Sequence, residues 1–449
     1  MRRAALLASA LLSSSLALSA SCSTDLGDLP ARCPDGQCPD GYDCINGVCA
    51  LPGTTVPITV VTLGNLRDGD LQLVALGDAV FIVWETYPYS ELGHAIVARR
   101  MDLDGAMSEP IVLDDAWQAD PGAVEPFFSV AAVGPDELLL AISSGPVDDD
   151  PRPRMRVFSV DVSDGGGSEP AWPDEVRMAT IGYGNVSQPR FIAKPGGGFQ
   201  LGYFAGVASA TETFGRLAVF DLDQEGALAA TLDSCDAGDS ACCPAHHCYD
   251  SARTEGIAAG VERTFYWQDQ AVWVIDKTRP SCLLTSDPVE GEPDTAEELF
   301  FDALSLPLAA DVDGGLVFVA PSARTGDKLP NAPASGPAHL RRSALAGGDP
   351  VELGELPVVR DAPRAAWVLR DEAHGYLVSP GEFVDAPSLS VLDVDITTGA
   401  ATEVASIDRI SSLEIGSVTA ALVADRLFVV WLEVANDRAV IRAVVLPAP

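Results

Sequence analysis

Cysteine is the residue type in this chain with the widest chemical reach, because a thiolate can ligate a soft metal, attack an electrophile or pair with a second sulfur. The ten cysteines fall in two clusters, Cys22, Cys33, Cys38, Cys44 and Cys49, then Cys235, Cys242, Cys243, Cys248 and Cys282. Between Cys33 and Cys49 the chain reads Pro-Asp-Gly twice and Asn-Gly once, all strong turn formers, and so short a stretch has no core of its own. Two disulfides must therefore hold it. Four cysteines allow three connectivities; the interleaved one, Cys33 with Cys44 and Cys38 with Cys49, is expected. In the second cluster His246 and His247 stand beside Cys248, a mixture that suits zinc. The adjacent pair Cys242-Cys243 does not have the usual ligand spacing, and disulfides are the expected state of Cys235, Cys242, Cys243 and Cys248, with Cys282 the partner for one of them.

Carboxylates offer less. Asp102-Leu-Asp104-Gly105, Asp221-Leu-Asp223, Asp311-Val-Asp313-Gly314 and Asp393-Val-Asp395 resemble fragments of calcium loops, yet none is followed by the Glu that completes such a loop. They read as hairpin turns, and no metal or cofactor is expected. The linear signatures of serine hydrolases, zinc proteases, phosphate-binding loops and dinucleotide-binding loops are absent, and the only histidines are His94, His246, His247, His339 and His374. No catalytic residue is assigned. An enzyme can also assemble its site from side chains scattered along the chain, so a hydrolase or lyase acting on polysaccharide stays open as the alternative.

These residues sit in a chain whose first segment is an address. Arg2 and Arg3 precede an uncharged apolar and small-residue run over 4–18, the pattern of a secretory signal. That run is shorter than the roughly 20 residues of a spanning helix. The following Leu18-Ser-Ala-Ser-Cys22 resembles the lipobox of bacterial lipoproteins, with Ser19 where that family usually has Leu. The resemblance implies removal of residues 1–21, lipid attachment at Cys22, a tether over 22–32 and an exported, membrane-anchored protein at the outer membrane or cell surface. The module at 33–49 is similar to small Cys-rich modules that often follow the lipobox in such proteins. With 28 Lys and Arg against 65 Asp and Glu, the net charge of −37 excludes a phosphate-backbone partner such as nucleic acid.

From residue 54 to 449 short β-branched and aromatic runs alternate with Gly, Pro and Asp clusters, an all-β pattern. Asp78-Ala-Val-Phe-Ile-Val-Trp84 matches Asp425-Arg-Leu-Phe-Val-Val-Trp431, and the same run recurs after Asp136, Gly197, Glu262, Gly314 and His374. Spacings of 51 to 65 residues between these seven anchors fit one four-stranded antiparallel sheet per repeat. The pattern resembles β-propellers in general and implies seven four-stranded blades, two packed sandwiches being the other architecture such strands build. It has no Trp-Asp repeat ends and lacks the Ser-x-Asp-x-Gly-x-x-Trp box of sialidases. Trp84 and Trp431 read as core.

Naming the strands of a blade A to D from the inside out, strands are expected in the first repeat at 71–76, 80–85, 95–103 and 110–113. The last repeat lacks a strand D, and 56–63 is a strand without a blade, so ring closure by 56–63 is expected. The B-to-C connections 85–93, 143–153, 206–214 and 321–338, together with 234–250 read as a D-to-A connection, would share one face, and tight Asp-Gly turns the other. The expected function is binding or scaffolding without catalysis, by a monomer that engages a protein or glycan through the long connections.

Overall fold

In the computed structural model the described residues are 33, 37–45, 48–50, 55–64, 71–86, 95–114, 127–144, 154–163, 167–170, 176–177, 189–193, 198–208, 213–222, 249–250, 256–259, 263–268, 271–276, 296–301, 308–312, 315–320, 338–344, 351–356, 365–380, 388–408, 413–435 and 438–448. Packing divides the chain into two units, 1–56 and 57–449. In the first, β1 (Asp43–Ile45) and β2 (Val48–Ala50) form a hairpin with Cys44 opposite Cys49.

The second unit opens on β3 (Ile58–Gly64), and every element described in it is a strand. Antiparallel sheets then follow one another. The first is β4 (Leu71–Leu76), β5 (Ala79–Thr86), β6 (Ala95–Asp102) and β7 (Ile111–Asp114), in that order. The second is β8 (Phe127–Ala132), β9 (Glu137–Ser144) and β10 (Arg154–Asp161), with β11 (Gly167–Pro170) and β12 (Val176–Arg177) along opposite ends of β10, an outer strand in two pieces. Next come β13 (Arg190–Ala193), β14 (Phe199–Ala208), β15 (Thr213–Leu222) and β16 (Tyr249–Asp250). They are followed by β17 (Gly256–Ala259), β18 (Arg263–Gln268), β19 (Ala271–Asp276) and β20 (Ala296–Phe301). The fifth sheet is β21 (Leu308–Val312), β22 (Gly315–Ala320), β23 (His339–Ala344) and β24 (Val351–Glu355). The sixth is β25 (Ala366–Leu369), β26 (His374–Ser379), β27 (Ser388–Asp395) and β28 (Ala401–Asp408). The last joins β29 (Glu414–Val423), β30 (Arg426–Ala435) and β31 (Arg438–Pro447) to β3 from the other end of the unit.

First strands of successive sheets are neighbours: β29 lies beside β4, β4 beside β8, β8 beside β13, β13 beside β17, β17 beside β21, and β25 beside β29. Sheets stacked in this way around their first strands give the body a propeller-like architecture. The stacking explains why β5 has all of its residues buried rather than alternate ones. Val80, Ile82 and Trp84 pack with Phe428, Val430 and Leu432 of the last sheet, while Phe81 and Val83 pack with Phe128, Leu138 and Leu140 of the second. Strand β5 thus serves two cores, as does β26, whose Leu377 packs with the fifth sheet while Tyr376 and Val378 pack with the last.

Polar side chains tie the inner strands. The Gln72 amide on β4 donates from Nε2 to the Phe128 carbonyl at 2.7 Å and accepts the Val130 N–H at 3.0 Å, so it acts like a short strand between two sheets. At the equivalent place on β8 the Ser129 hydroxyl accepts the N–H of Phe191 on β13.

Outer strands share another device. In five sheets strand D has one more residue than the stretch of strand C it faces, and the extra residue is Leu113, Leu299, Leu353, Val404 or Val60. A bulge of this kind bends and twists the outer strand. That β3 carries it too identifies β3 as the outer strand of the last sheet, structurally like the others.

Candidate functional site

In the Cys-rich module the bonds are Cys33–Cys44 and Cys38–Cys49, the interleaved pairing expected from the sequence. The Tyr42 N–H donates to the Pro39 carbonyl at 3.1 Å across a turn that holds Gly41 at φ 92°, a conformation that favours glycine. Sulfurs of Cys33, Cys38 and Cys49 lie within 4.8 Å of one another, but every one is committed to a disulfide, so the grouping offers a metal no thiolate. Cys22, Cys235, Cys242, Cys243, Cys248 and Cys282 lie outside the described residues, as do His94, His246 and His247.

At one end of the sheets, where A–B and C–D turns emerge, the described acidic turns prove to be structural; the Asp221, Asp223, Asp311 and Asp313 side chains lie outside the described residues. The Asp102 carboxylate accepts the N–H groups of Asp104 and Ala106. Asp161 accepts both the N–H and the hydroxyl of Ser163, and Asp395 accepts the N–H and hydroxyl of Thr397 and the N–H of Thr398. The Ser163 and Thr397 hydroxyls are the main reason that these two carboxyls sit below the usual carboxylate range. Such turns spend their oxygens on their own backbone.

Turn glycines complete the joint. Gly105 and Gly399 adopt φ of 84° and 76°. A Cβ on Gly105 would press on Ile58 of β3, and one on Gly399 would run into the backbone of Leu353 and Gly354 on β24. In both cases the C–D turn of one sheet seats on the outer strand of the sheet before it, at the bulge residue Leu353 for Gly399 and two residues before the bulge for Gly105.

The A–B turn of the sixth sheet gathers a set of ionisable groups. Arg370 Nη1 donates to Asp393 Oδ2 at 3.0 Å and to the Tyr376 hydroxyl at 3.4 Å, with its guanidinium over the Tyr376 ring. The bond to Tyr376 leads the effects that raise the Arg370 pKa. Asp371 accepts the N–H groups of Ala373 and His374 and lies 3.1 Å from His374 Nδ1, and the Ala373 N–H foremost holds its carboxyl at about 2. His339, the other described histidine, lies 3.0 Å from Glu352 Oε1.

B–C and D–A connections emerge at the opposite end. There Trp431 Nε1 donates to the fully buried Glu433 at 3.0 Å, and Arg442 Nε donates to the other oxygen of the same carboxylate at 3.2 Å. At the matching place in the first sheet stands Thr86, whose hydroxyl instead bonds the N–H and carbonyl of Ala95. Trp84 and Trp431 are both core, as expected.

Segments 87–94, 145–153, 209–212 and 321–337 start and finish at this end, as expected, because they join strands B and C; the third is short, since β14 and β15 run through most of 206–214. The expectation for 234–250 is wrong. Residues 223–248 join β15 to β16, strands C and D of one sheet, so they leave strand C at the tight-turn end. The strand that the chain enters at Tyr249 pairs with strand C, which makes it an outer strand rather than the end of a previous blade. Cys282 lies in 277–295, which joins strands C and D of the next sheet. The two cysteine-bearing connections therefore start from the same end of neighbouring sheets.

No family model matches the chain, and no curated protein sequence matches it. Among solved structures it is similar to a sialidase from Trypanosoma rangeli, at 11% identity and a TM-score of 0.41 over 87% of this chain and 57% of that one. It is likewise similar to the β-propeller domain of the trilobed protease from Pyrococcus furiosus, at 9% identity and a TM-score of 0.41 over 87% and 97% of the two chains. A third is the acylaminoacyl peptidase of Pyrococcus horikoshii, at 9% identity and a TM-score of 0.43 over 85% and 52%. The chain thus spans little more than half of the sialidase and the peptidase. Likeness at this level carries no argument about activity, and the architecture rests on the strand order and the contacts between sheets.

Proposed function

We propose that this chain is an exported lipoprotein, anchored through Cys22 at the outer membrane or cell surface, whose seven-bladed propeller of four-stranded blades binds a protein or glycan without chemical turnover. On this reading residues 1–21 are the signal peptide, 22–32 the tether, 33–49 a disulfide-rich spacer and 54–449 the propeller.

The observation that carries the binding reading is the use of carboxylates. Asp102, Asp161 and Asp395 are engaged by their own turns, and Glu433 is engaged by Trp431 and Arg442. A glycosidase needs two carboxyls facing one bond, one to donate a proton and one to stabilise or attack. Glu433, buried and paired with a cation, suits neither role. The long B–C connections, which a rigid set of sheets holds at the other end, supply the ligand contacts in this reading.

A glycan array probed with the labelled full chain, followed by an assay for new reducing ends on every glycan retained, tests this. Retention without release supports binding. Release of reducing ends, abolished when a single Asp or Glu in 87–94 or 145–153 is replaced, establishes the polysaccharide-cleaving alternative instead. For the anchor, Cys22→Ser is expected to move the protein from the detergent phase to the aqueous phase, and unchanged partitioning removes the lipid from the reading.

A further inference from the structure

The strand that closes the last sheet is also the strand by which the N-terminal segment enters the body. Whatever tension that segment transmits arrives first at Ile58, and β3 has only β31 as a ladder partner. Its pairing runs from Ile58 opposite Ala443 to Gly64 opposite Arg438, so the entry end of β3 lies beside the C-terminal half of β31. A strand pulled from one end peels, and its first contacts set the resistance.

Among the described residues, the side-chain ties of β3 to other strands gather at that end. Ile58 lies against the Gly105 turn of the first sheet. Thr59 accepts a hydrogen bond from Arg442 Nη1, and through Arg442 it is joined to the buried Glu433 and Trp431. Val60 is the bulge residue, opposite neither Arg442 nor Ile441 in the ladder. Its carbonyl accepts Arg99 Nη1 at 2.7 Å, while Arg99 Nε donates to the Ser108 carbonyl at 2.8 Å within the first sheet. Val60 itself is buried in the core shared by the first and last sheets.

We propose that Arg99 and Arg442 form a latch on residues 58–60 that passes tension from the N-terminal segment into two adjacent sheets at once, and so keeps the ring from opening at its seam. The inference rests on the reading of that segment as a membrane tether, which is what would load it. A bulge is the natural place for such a latch, because the extra residue turns a carbonyl out of the ladder and leaves it for a guanidinium to take. One arginine alone would hold β3 only to its own sheet; Arg99 commits the neighbouring one.

The test holds the full exported chain by its N-terminal segment and by Pro449 in a force spectrometer, and follows amide exchange at 58–61 in the same preparations. Because Arg442→Met would leave the Glu433 charge buried alone and endanger folding, Thr59→Val and Arg99→Met are the variants used. Each is expected to lower the force of the first rupture and to raise exchange at 58–61 by about tenfold, with Ser388–Asp395 unaffected. An unchanged first rupture force overturns the latch, and so does exchange that rises equally in Ser388–Asp395, which would mean a general loss of stability. Neither readout involves the lipid. If Cys22→Ser leaves detergent partitioning unchanged the anchor reading fails, and the latch stands or falls on the force data alone.

Discussion

Single carboxylates define the turn end of the body. Asp371, held at about 2, and Asp395, held lower still by Thr397, are both more acidic than an unfolded aspartate near about 3.9. A group whose pKa is depressed in the folded state contributes stability above the unfolded value and loses it as pH falls through the folded one. Both groups are near the surface, where solvent weakens the effect. Asp371→Asn and Asp395→Asn are therefore expected to unfold at lower temperature than the parent at pH 7, the first converging with it as the pH drops from about 4 toward 2 and the second converging only at still lower pH, followed by thermal unfolding monitored by circular dichroism. Glu433 lies at the other extreme of burial. Glu433→Ala leaves Arg442 without its carboxylate and Trp431 without its acceptor, and is expected to cost about 3–5 kcal/mol in urea unfolding. Glu433→Gln keeps an acceptor for Trp431 and should cost less. The turns at Asp102 and Asp395 were legible as turns in the sequence, since Asp and Gly at those spacings have few other uses. The Glu433 network was not, because nothing in a linear run shows that an Arg nine positions later faces the same carboxylate from the next strand.

Strands were the most legible elements. The first repeat reads as 71–76, 80–85, 95–103 and 110–113, and the structure has Leu71–Leu76, Ala79–Thr86, Ala95–Asp102 and Ile111–Asp114. Agreement is close because a strand covered on both faces must be apolar along its whole length and must stop at a turn former. The bulges escaped notice, since one additional aliphatic residue in an outer strand does not interrupt an apolar run. Leu113 is such a residue, buried with Phe81, Val83 and Ile96, and Leu113→Ala is expected to cost about 2–4 kcal/mol in chemical unfolding. Gly399 tests the seat of a turn on a neighbouring sheet. Gly399→Ala must place a Cβ against the Leu353–Gly354 backbone at positive φ, and a loss of more than about 1 kcal/mol is expected. The connection 234–250 differs from expectation because a two-residue outer strand after a long insertion has no periodicity by which to recognise it.

For the whole molecule, the pairing of β3 with β31 joins residues at opposite ends of the unit and makes a non-local closure. Deleting 54–64 is expected to expose the β31 edge and to bring cooperative loss of stability or aggregation, seen by gel filtration and thermal melting, whereas deleting 23–50 leaves the melting of the body unchanged. Peptide mapping of the oxidised protein is expected to find Cys282 bonded to one of Cys235, Cys242, Cys243 and Cys248, since their connections start from the same end of adjacent sheets. A map with Cys282 free removes that staple.

Composition and pattern alone determined that the chain is all-β, that its body is propeller-like and that it carries a disulfide-held N-terminal module. These properties follow from local demands: turn residues where the chain reverses, apolar runs where sheets cover one another, and paired sulfurs where no core can form. Tertiary structure alone decided which carboxylates are already engaged, that the cysteine-bearing connections leave from the turn end, and that Arg99 and Arg442 meet at the first residues of β3. Those facts depend on contacts between strands tens to hundreds of residues apart, and a guanidinium reaching a bulge carbonyl leaves no mark on the residues beside it in the chain.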